Sequence, residues 1–155
     1  MGPVAALTSF FKRYFDVVGR SRRSEYGWLL IIMPAIYIGG AMLLAALGYT
    51  SEDVSPTLPD GSSNELPWLV TLIYGLLTVL ILGTIIPWTT LTIRRFHDMG
   101  RSGWWHALFT VLWIIPPLGA LGWIVQFFWV LFGGGTAGAN AYGPDPRFSA
   151  SQTFG

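Results

Sequence analysis

Three long stretches of the chain consist of apolar and neutral residues without a single charge. They cover residues 27–49, 68–93 and 104–132. As helices they would be roughly 35, 39 and 44 Å long, whereas the hydrocarbon core of a bilayer is about 30 Å thick. Each stretch is therefore long enough to cross a membrane as a tilted helix.

A shorter, amphipathic pattern precedes the first apolar stretch. Apolar residues recur from Leu7 to Val18 at the spacing of one helical face, and Lys12 and Arg13 fall on the opposite face. This pattern predicts an interfacial helix over residues 5–18 that lies flat among the lipid headgroups. The alternative is that the same apolar face packs against the other helices.

A pair of prolines interrupts the third apolar stretch. Pro116 and Pro117 divide it into pieces of 12 and 15 residues, about 18 and 22 Å long, and neither piece crosses the hydrocarbon alone. Because proline kinks or ends a helix, we expect either one kinked span or a re-entrant hairpin, and we favour one span. The two alternatives place the C-terminal tail on opposite sides of the membrane.

Two further segments connect or follow these stretches. Residues 50–67 contain four acids and a Pro-Asp-Gly turn signal, which predicts a solvated acidic loop. Residues 133–155 begin with a glycine-rich run, which predicts a flexible tail. We therefore expect one membrane domain over residues 1–155. Its predicted fold is all-α and integral to the membrane, with about three transmembrane helices and the interfacial N-terminal helix.

Composition and charge support this topology. Only 11% of the residues are charged, whereas soluble proteins have about 25%. Residues 1–26 have a net charge of +3, residues 50–67 of −4 and residues 94–103 of +2. Lysine and arginine remain on the cytoplasmic side of membranes. The N-terminus is therefore predicted to be cytoplasmic, in a multi-pass protein whose acidic loop is outside.

Two basic clusters, Gly19–Trp28 and Arg94–Trp105, are predicted to face the same side of the membrane and to meet in space. Each contains one acid, Glu25 or Asp98, for which we expect ion pairs with arginines. Asp98 follows Arg94 by four residues, so these two can pair along one helix.

The basic side chains are candidate ligands for anionic phospholipid or for a membrane partner, because arginine binds phosphate through two parallel hydrogen bonds. The candidates are Lys12, Arg13, Arg20, Arg22, Arg23, Arg94, Arg95 and Arg101. We expect them to form one electropositive surface with a gap of phosphate size. The simpler alternative is that these residues only fix the topology.

Other polar residues give little indication of chemistry. His97 is expected to be a neutral hydrogen-bonding ring, because nearby arginines disfavour its protonation. Gln126 is expected to find an interhelical partner. Catalytic residues, metal ligands and cofactors are not predicted, because cysteine is absent and no metal or nucleophile motif occurs. We expect a non-enzyme without a nucleic-acid partner.

Three motifs resemble those of a known family. Arg20–Trp28, Arg94–Trp105 and Asn140–Pro146 are similar to signatures of the YhaH-like bacterial inner-membrane proteins, domain of unknown function 805. The resemblance extends from about Phe10 to Pro146, although Gly27 stands where the family usually has an aromatic residue. It implies a bacterial cytoplasmic membrane and few membrane passes, and it implies no established activity.

The function most consistent with these features is non-catalytic binding of anionic lipid or a membrane partner at the cytoplasmic side. The alternative is an accessory or scaffold subunit of a larger membrane complex, because the chain is small and its third apolar stretch is rich in aromatic residues. A homo-oligomer is also compatible with the sequence. A transporter component is least favoured, because the spans contain no charge.

Overall fold

The computed structural model describes residues 1–46 and 68–148, and every named element in these ranges is a helix. The helices are α1 (Pro3–Lys12), α2 (Arg23–Ala46), α3 (Trp68–Asp98), α4 (Trp104–Leu112) and α5 (Leu118–Phe132). The predicted acidic loop and residues 149–155 lie outside the described residues. The predicted all-α fold is confirmed.

Helices α2 and α3 are long and apolar enough to cross a membrane. Their 24 and 31 residues correspond to about 36 and 46 Å. Helix α2 begins four residues before the apolar stretch 27–49, and α3 continues five residues beyond the stretch 68–93. Consequently Glu25 lies in the first turn of α2 and Asp98 in the last turn of α3, whereas Arg20, Arg22 and Arg101 lie outside the helices.

Helix α1 is shorter than the predicted helix over residues 5–18. It ends at Lys12, and the chain then turns around Asp16. The Asp16 carboxylate accepts hydrogen bonds from the Nε of Arg13, at 2.7 Å, and from the N–H of Val18, at 2.8 Å. Such local bonds compete with helical ones and explain the early end.

The apolar face of α1 packs partly on protein. Ala6 and Phe10 are fully buried, and the Phe10 ring meets that of Trp88 edge-on, with 5.9 Å between the centroids. Phe11 and Phe15 are exposed. The alternative of packing against other helices therefore applies to one side of α1, while its interfacial placement stays a prediction.

Helices α4 and α5 form an antiparallel hairpin, so the favoured single span is wrong. Trp105 near the start of α4 contacts Trp129 near the end of α5, with 5.2 Å between the ring centroids. Gly119 makes the turn possible, because a Cβ there would lie 2.8 Å from the Cα of Trp113. The two prolines end α4, since neither supplies an N–H to continue the helix.

The tail is not a free chain over residues 133–148, contrary to the prediction. Its Thr136 N–H donates to the backbone carbonyl of Asp98 at 2.8 Å. Gly135 packs so tightly on the Asp98 carboxylate that any side chain would clash. The glycine-rich run thus allows close backbone approach to α3, a role that composition alone does not distinguish from flexibility.

The chain divides into two compact units. One contains Met1–Leu30 and Ile85–Gly155, and the other contains Ile31–Thr84. Within the second unit, the Tyr37 and Thr84 hydroxyls form a hydrogen bond of 2.7 Å. The charged signatures, the hairpin and the described tail all belong to the first unit, which therefore contains the candidate site.

Candidate functional site

Asp98, in the last turn of α3, is the centre of a buried ion-pair network. One carboxylate oxygen accepts from Arg20, with Nε at 3.0 Å and Nη2 at 2.9 Å. The other accepts from Arg95 Nη1 at 2.7 Å. Only 8% of the Asp98 side chain is exposed, so this is a low-dielectric pair in which both oxygens are satisfied.

The two arginines of this network also hold the tail. Arg20 donates to the carbonyls of Thr136 and Gly138, each at 2.6 Å. Arg95 donates to the carbonyl of Val130 at 3.0 Å and to that of Gly133. This network therefore joins the segment before α2, the end of α3 and the tail into one polar core.

The predicted pair between Arg94 and Asp98 is wrong. Adjacent residues on a helix point about 100° apart, and here it is Arg95 that faces Asp98. Arg94 instead approaches Glu25, with 3.9 Å between its Nη1 and the carboxylate Oε1. The ion-pair partner therefore depends on the direction in which each side chain leaves the helix, and not only on a four-residue spacing.

Glu25, in the first turn of α2, has a different environment from Asp98. Its Oε1 accepts from the Ser9 hydroxyl of α1 at 2.7 Å, and its Oε2 accepts from the Ser21 hydroxyl. Glu25 is buried and so is Arg94, yet none of the three guanidinium nitrogens of Arg94 has a hydrogen-bond partner within the described residues. Glu25 is thus held by hydroxyls, with a cation close by.

His97 lies beside the ion-pair core and contacts two other segments. Its Nδ1 is 3.2 Å from the carbonyl of Gly19, so that nitrogen is the donor, because a carbonyl can only accept. Its ring stacks on Tyr142, with 4.0 Å between centroids. Asn140 donates to the His97 backbone carbonyl at 2.9 Å. His97 therefore packs the tail against the α3 terminus.

The eight basic candidates do not form the one electropositive surface that the sequence predicted. Arg20, Arg94 and Arg95 are buried, and Arg13 pairs with Asp16 in the turn after α1. The other four, Lys12, Arg22, Arg23 and Arg101, are exposed or half-exposed, as Arg13 is too. The buried arginines have the acids of the two clusters or tail carbonyls as partners, because a buried charge requires partners.

A cavity of about 270 Å³ lies at the start of α2. Its charged and polar lining consists of Arg22, Arg23, Ser24, Asp98 and Arg147. Arg22 donates through its Nε to the carbonyl of Pro146. The first N–H groups of a helix lack helical acceptors and bear partial positive charge. We call this site the arginine pocket. Arg147 is paired with Asp145, but Arg22 and Arg23 form no ion pair within the described residues, so these two make the pocket electropositive.

The tail supplies residues that the sequence prediction missed. Arg147 pairs with Asp145 at 2.5 Å. The Arg147 guanidinium, donating to the Asp145 carboxylate, holds the pKa of that carboxyl well below its usual range, and the N–H groups of Arg147 and Gly138 add to the effect. The Asp-Pro-Arg sequence is a turn signal that could have revealed this contact.

Ser9 and Ser21 were also missed, because isolated serines give no sequence signal. The predicted interhelical partner of Gln126 is confirmed, since its Oε1 lies 3.3 Å from the Nδ1 of His106. Among residues 1–46 and 68–148, no group of three carboxylate or imidazole side chains could hold a metal ion.

Comparison with known proteins agrees with the motifs. The family model described as "Protein of unknown function (DUF805)" matches residues 14–144. The chain belongs to this family. It is 32% identical over 138 residues to inner membrane protein YhaH of Escherichia coli K12, covering 88% of this chain and 91% of YhaH. No solved structure matches it.

A second relative supports the same assignment. The chain is 34% identical over 146 residues to inner membrane protein YhaI of Escherichia coli K12, covering 92% of this chain and 96% of YhaI. An all-helical chain with two helices long enough to span and with inner-membrane relatives is an integral protein of the inner membrane. The relatives' names state a location and no activity.

Proposed function

We propose that this protein is a non-catalytic inner-membrane protein that binds the phosphate headgroup of an anionic phospholipid in the arginine pocket. The observation that supports this proposal is the convergence of Arg22, Arg23 and Arg147 on one cavity of about 270 Å³. Guanidinium groups bind phosphate by paired, charge-assisted hydrogen bonds. A helix N-terminus at the same place also favours an anion.

The local hydrogen bonds leave these arginines able to bind a ligand. Among the described residues, Arg22 donates only through its Nε, to Pro146, which leaves its two terminal nitrogens for a phosphate. Arg23 makes, among the same residues, only a long bond of 3.5 Å to the Phe132 carbonyl. Asp98 also lines the cavity, but Arg20 and Arg95 already neutralise it. The pocket therefore has a net positive charge toward a ligand.

Binding of a lipid from the cytoplasmic leaflet requires the arginine pocket to lie on the cytoplasmic side of the membrane. We propose a multi-pass protein whose N-terminus is cytoplasmic, with α2 and α3 spanning and the α4–α5 hairpin re-entering from the same side. The positive charge of residues 94–103 and the rule that basic residues stay inside support this orientation. The contact of Thr136 with Asp98 supports placing the tail on the same side.

Reporter fusions test the orientation. A reporter at Gly100 and one at Ser151 should both be active in the cytoplasm, and one at Ser62 should be active outside. Residues 62 and 151 lie outside the described residues, so both fusions also test the topology independently of the structure. A periplasmic signal at Ser151 would contradict the re-entrant hairpin, and one at Gly100 would overturn the cytoplasmic placement of the pocket.

Lipid retention tests the pocket itself. The double variant Arg22→Gln/Arg23→Gln is compared with Lys12→Gln/Arg101→Gln, which removes the same charge from exposed sites outside the pocket. We expect the pocket variant to bind phosphatidylglycerol about tenfold more weakly in native mass spectrometry, because charge-assisted hydrogen bonds are lost. The control should lose clearly less, because Lys12 and Arg101 lie outside the pocket and their long-range attraction for the headgroup is screened by salt.

Two results would contradict the proposal. Equal loss in both double variants would mean that diffuse surface charge attracts the lipid. Absence of anionic lipid from the wild-type protein in a phosphatidylglycerol bilayer would exclude the pocket as a headgroup site. Displacement of the lipid by inorganic phosphate at similar concentration would instead identify a free-phosphate site.

The accessory-subunit alternative has support from the exposed aromatic residues of the hairpin. Trp104 is 80% exposed and Trp113 is 62% exposed in the isolated chain. These rings can face lipid or another membrane protein. Native gel migration after mild detergent extraction distinguishes the two, because a subunit would migrate with a large complex and a lipid-binding protein would migrate as a small species.

A further inference from the structure

A second cavity, of about 250 Å³, lies within the first unit and is distinct from the arginine pocket. It opens among the first turns of α2, the middle of α3, and the facing sides of α4 and α5. An engineered cavity of about 150 Å³ is large enough to bind benzene. The space here therefore accepts a substituted ring.

Aromatic side chains provide most of the wall of this cavity. They are Tyr26, Trp88, Phe109, Trp113, Trp123 and Phe127. Aromatic rings prefer offset-stacked or edge-to-face contacts with other rings, beyond the general effect of apolar burial. Such a wall favours a planar ring over a flexible acyl chain.

The cavity also contains one polar pair in this apolar wall. His106 on α4 and Gln126 on α5 lie 3.3 Å apart, from Nδ1 to Oε1. Because an amide oxygen can only accept, Nδ1 of His106 is the donor in this contact, and the Gln126 amide nitrogen keeps both N–H groups without an acceptor among the described residues. A polar group without a partner is costly in an apolar environment. A ligand oxygen beside Gln126 would accept from this amide.

The two threonines on the wall are less available as donors. Thr89 donates to the carbonyl of Ile85 and Thr110 to that of His106, each at 2.9 Å. Their protons are therefore used within their own helices. The remaining N–H donors on the wall are the indole groups of Trp88, Trp113 and Trp123 and the Gln126 amide. Of these, only the amide is oriented by a hydrogen bond within the described residues, so it would determine where a ligand oxygen is held.

We propose that this cavity binds a quinone, with its ring among the aromatic side chains and one carbonyl oxygen accepting a hydrogen bond from the Gln126 amide. A planar ring uses the aromatic wall, and a carbonyl oxygen uses the polar pair. A saturated acyl chain would use neither. The lipid solubility of alkyl quinones suits a site in a membrane-embedded hairpin.

The test is saturable binding of decylubiquinone to the full-length protein in detergent, measured by quenching of tryptophan fluorescence. The variant Gln126→Leu removes the amide donor, and His106→Leu removes only the group that orients this amide. We expect Gln126→Leu to bind about tenfold more weakly, from the loss of a hydrogen bond. His106→Leu should have the smaller loss, within about threefold of the wild type.

A further variant corrects for nonspecific quenching. Trp104 is not part of the cavity wall, so Trp104→Phe should lose signal amplitude without a change in affinity. Quenching that rises linearly with quinone, without saturation, would overturn the proposal. Equal affinity in Gln126→Leu and the wild type would also overturn it, as would equal competition by a long-chain alcohol that lacks the ring. If Gln126→Leu does not fold, Gln126→Met is the substitute, with the same expected loss.

Discussion

Asp98 and Glu25 are buried carboxylates in matching sequence contexts, since each stands among arginines at a terminus of a long helix. Their surroundings in the structure differ. Asp98 accepts directly from two guanidinium groups at 2.7–3.0 Å. Glu25 accepts from two serine hydroxyls, and its nearest guanidinium is 3.9 Å away.

The comparison shows that two buried acids, each close to arginines in the sequence, can have different hydrogen-bond partners. The Asp98 network is complete, because Arg20 and Arg95 also donate to tail carbonyls. The Glu25 site leaves Arg94 buried without a hydrogen bond within the described residues. Removing any member of the Asp98 network leaves a buried charge without its hydrogen bonds, whereas removing Arg94 breaks a longer ion pair in which Glu25 keeps its serine hydroxyls. The first change should therefore cost more.

The largest effect is expected from Asp98→Ala. It leaves Arg20 and Arg95 buried without their carboxylate, so we expect a loss of about 3–5 kcal/mol in the free energy of unfolding in detergent. The matched control is Asp16→Ala, because Asp16 also pairs with an arginine at 2.7 Å but is 38% exposed. That variant should lose less than about 1 kcal/mol. Similar losses in both would mean that the Asp98 network is solvated.

The next comparison separates two neighbouring arginines. Arg95→Met removes the partner of Asp98 and the bonds to the carbonyls of Val130 and Gly133. We expect it to cost about 3 kcal/mol by chemical denaturation. Arg94→Met removes a guanidinium that forms no hydrogen bond within the described residues but lies 3.9 Å from the Glu25 carboxylate. It should cost less, about 1–2 kcal/mol, because Glu25 keeps its two serine hydroxyls. An equal cost would show that the ion pair with Glu25 contributes as much as the hydrogen-bonded network of Asp98.

The smallest effect concerns the pH dependence of the tail. The pKa of the Asp145 carboxyl is lowered in the folded protein, chiefly by the Arg147 guanidinium, from an ordinary value near 3.8. A lowered pKa stabilises the folded state above the unfolded value. This stabilisation is therefore complete at pH 5 to 8 and is lost as the pH falls below about 4.

Hydrogen exchange of the peptide 136–148, corrected for intrinsic rates, measures this dependence. Protection should be constant from pH 8 to 5 and should fall only below about pH 4. The variant Asp145→Asn should lack the acid transition. A loss of protection between pH 5 and 6 would mean that another group controls the docking of the tail.

Some features could be predicted from particular residues alone. The uncharged stretches 27–49 and 68–93 predicted α2 and α3 to within a few residues at the described ends, because hydropathy and helix length are local properties. Gln126 was expected to have an interhelical partner for a similarly local reason, since an amide in an apolar helix needs one. Which arginines are buried in ion pairs and which are exposed could not be predicted in this way.

The sequence by itself determined the helical class, the lengths of α2 and α3 and the concentration of basic charge around residues 20–23 and 94–101. Only the tertiary structure decided that α4 and α5 form a hairpin, that the glycine-rich tail packs on Asp98, and that Arg95 rather than Arg94 pairs with this acid. The physical reason is that apolar length and charge add up along the chain. A buried ion pair instead depends on helical phase and on segments more than 70 residues apart, such as Arg20 and Asp98.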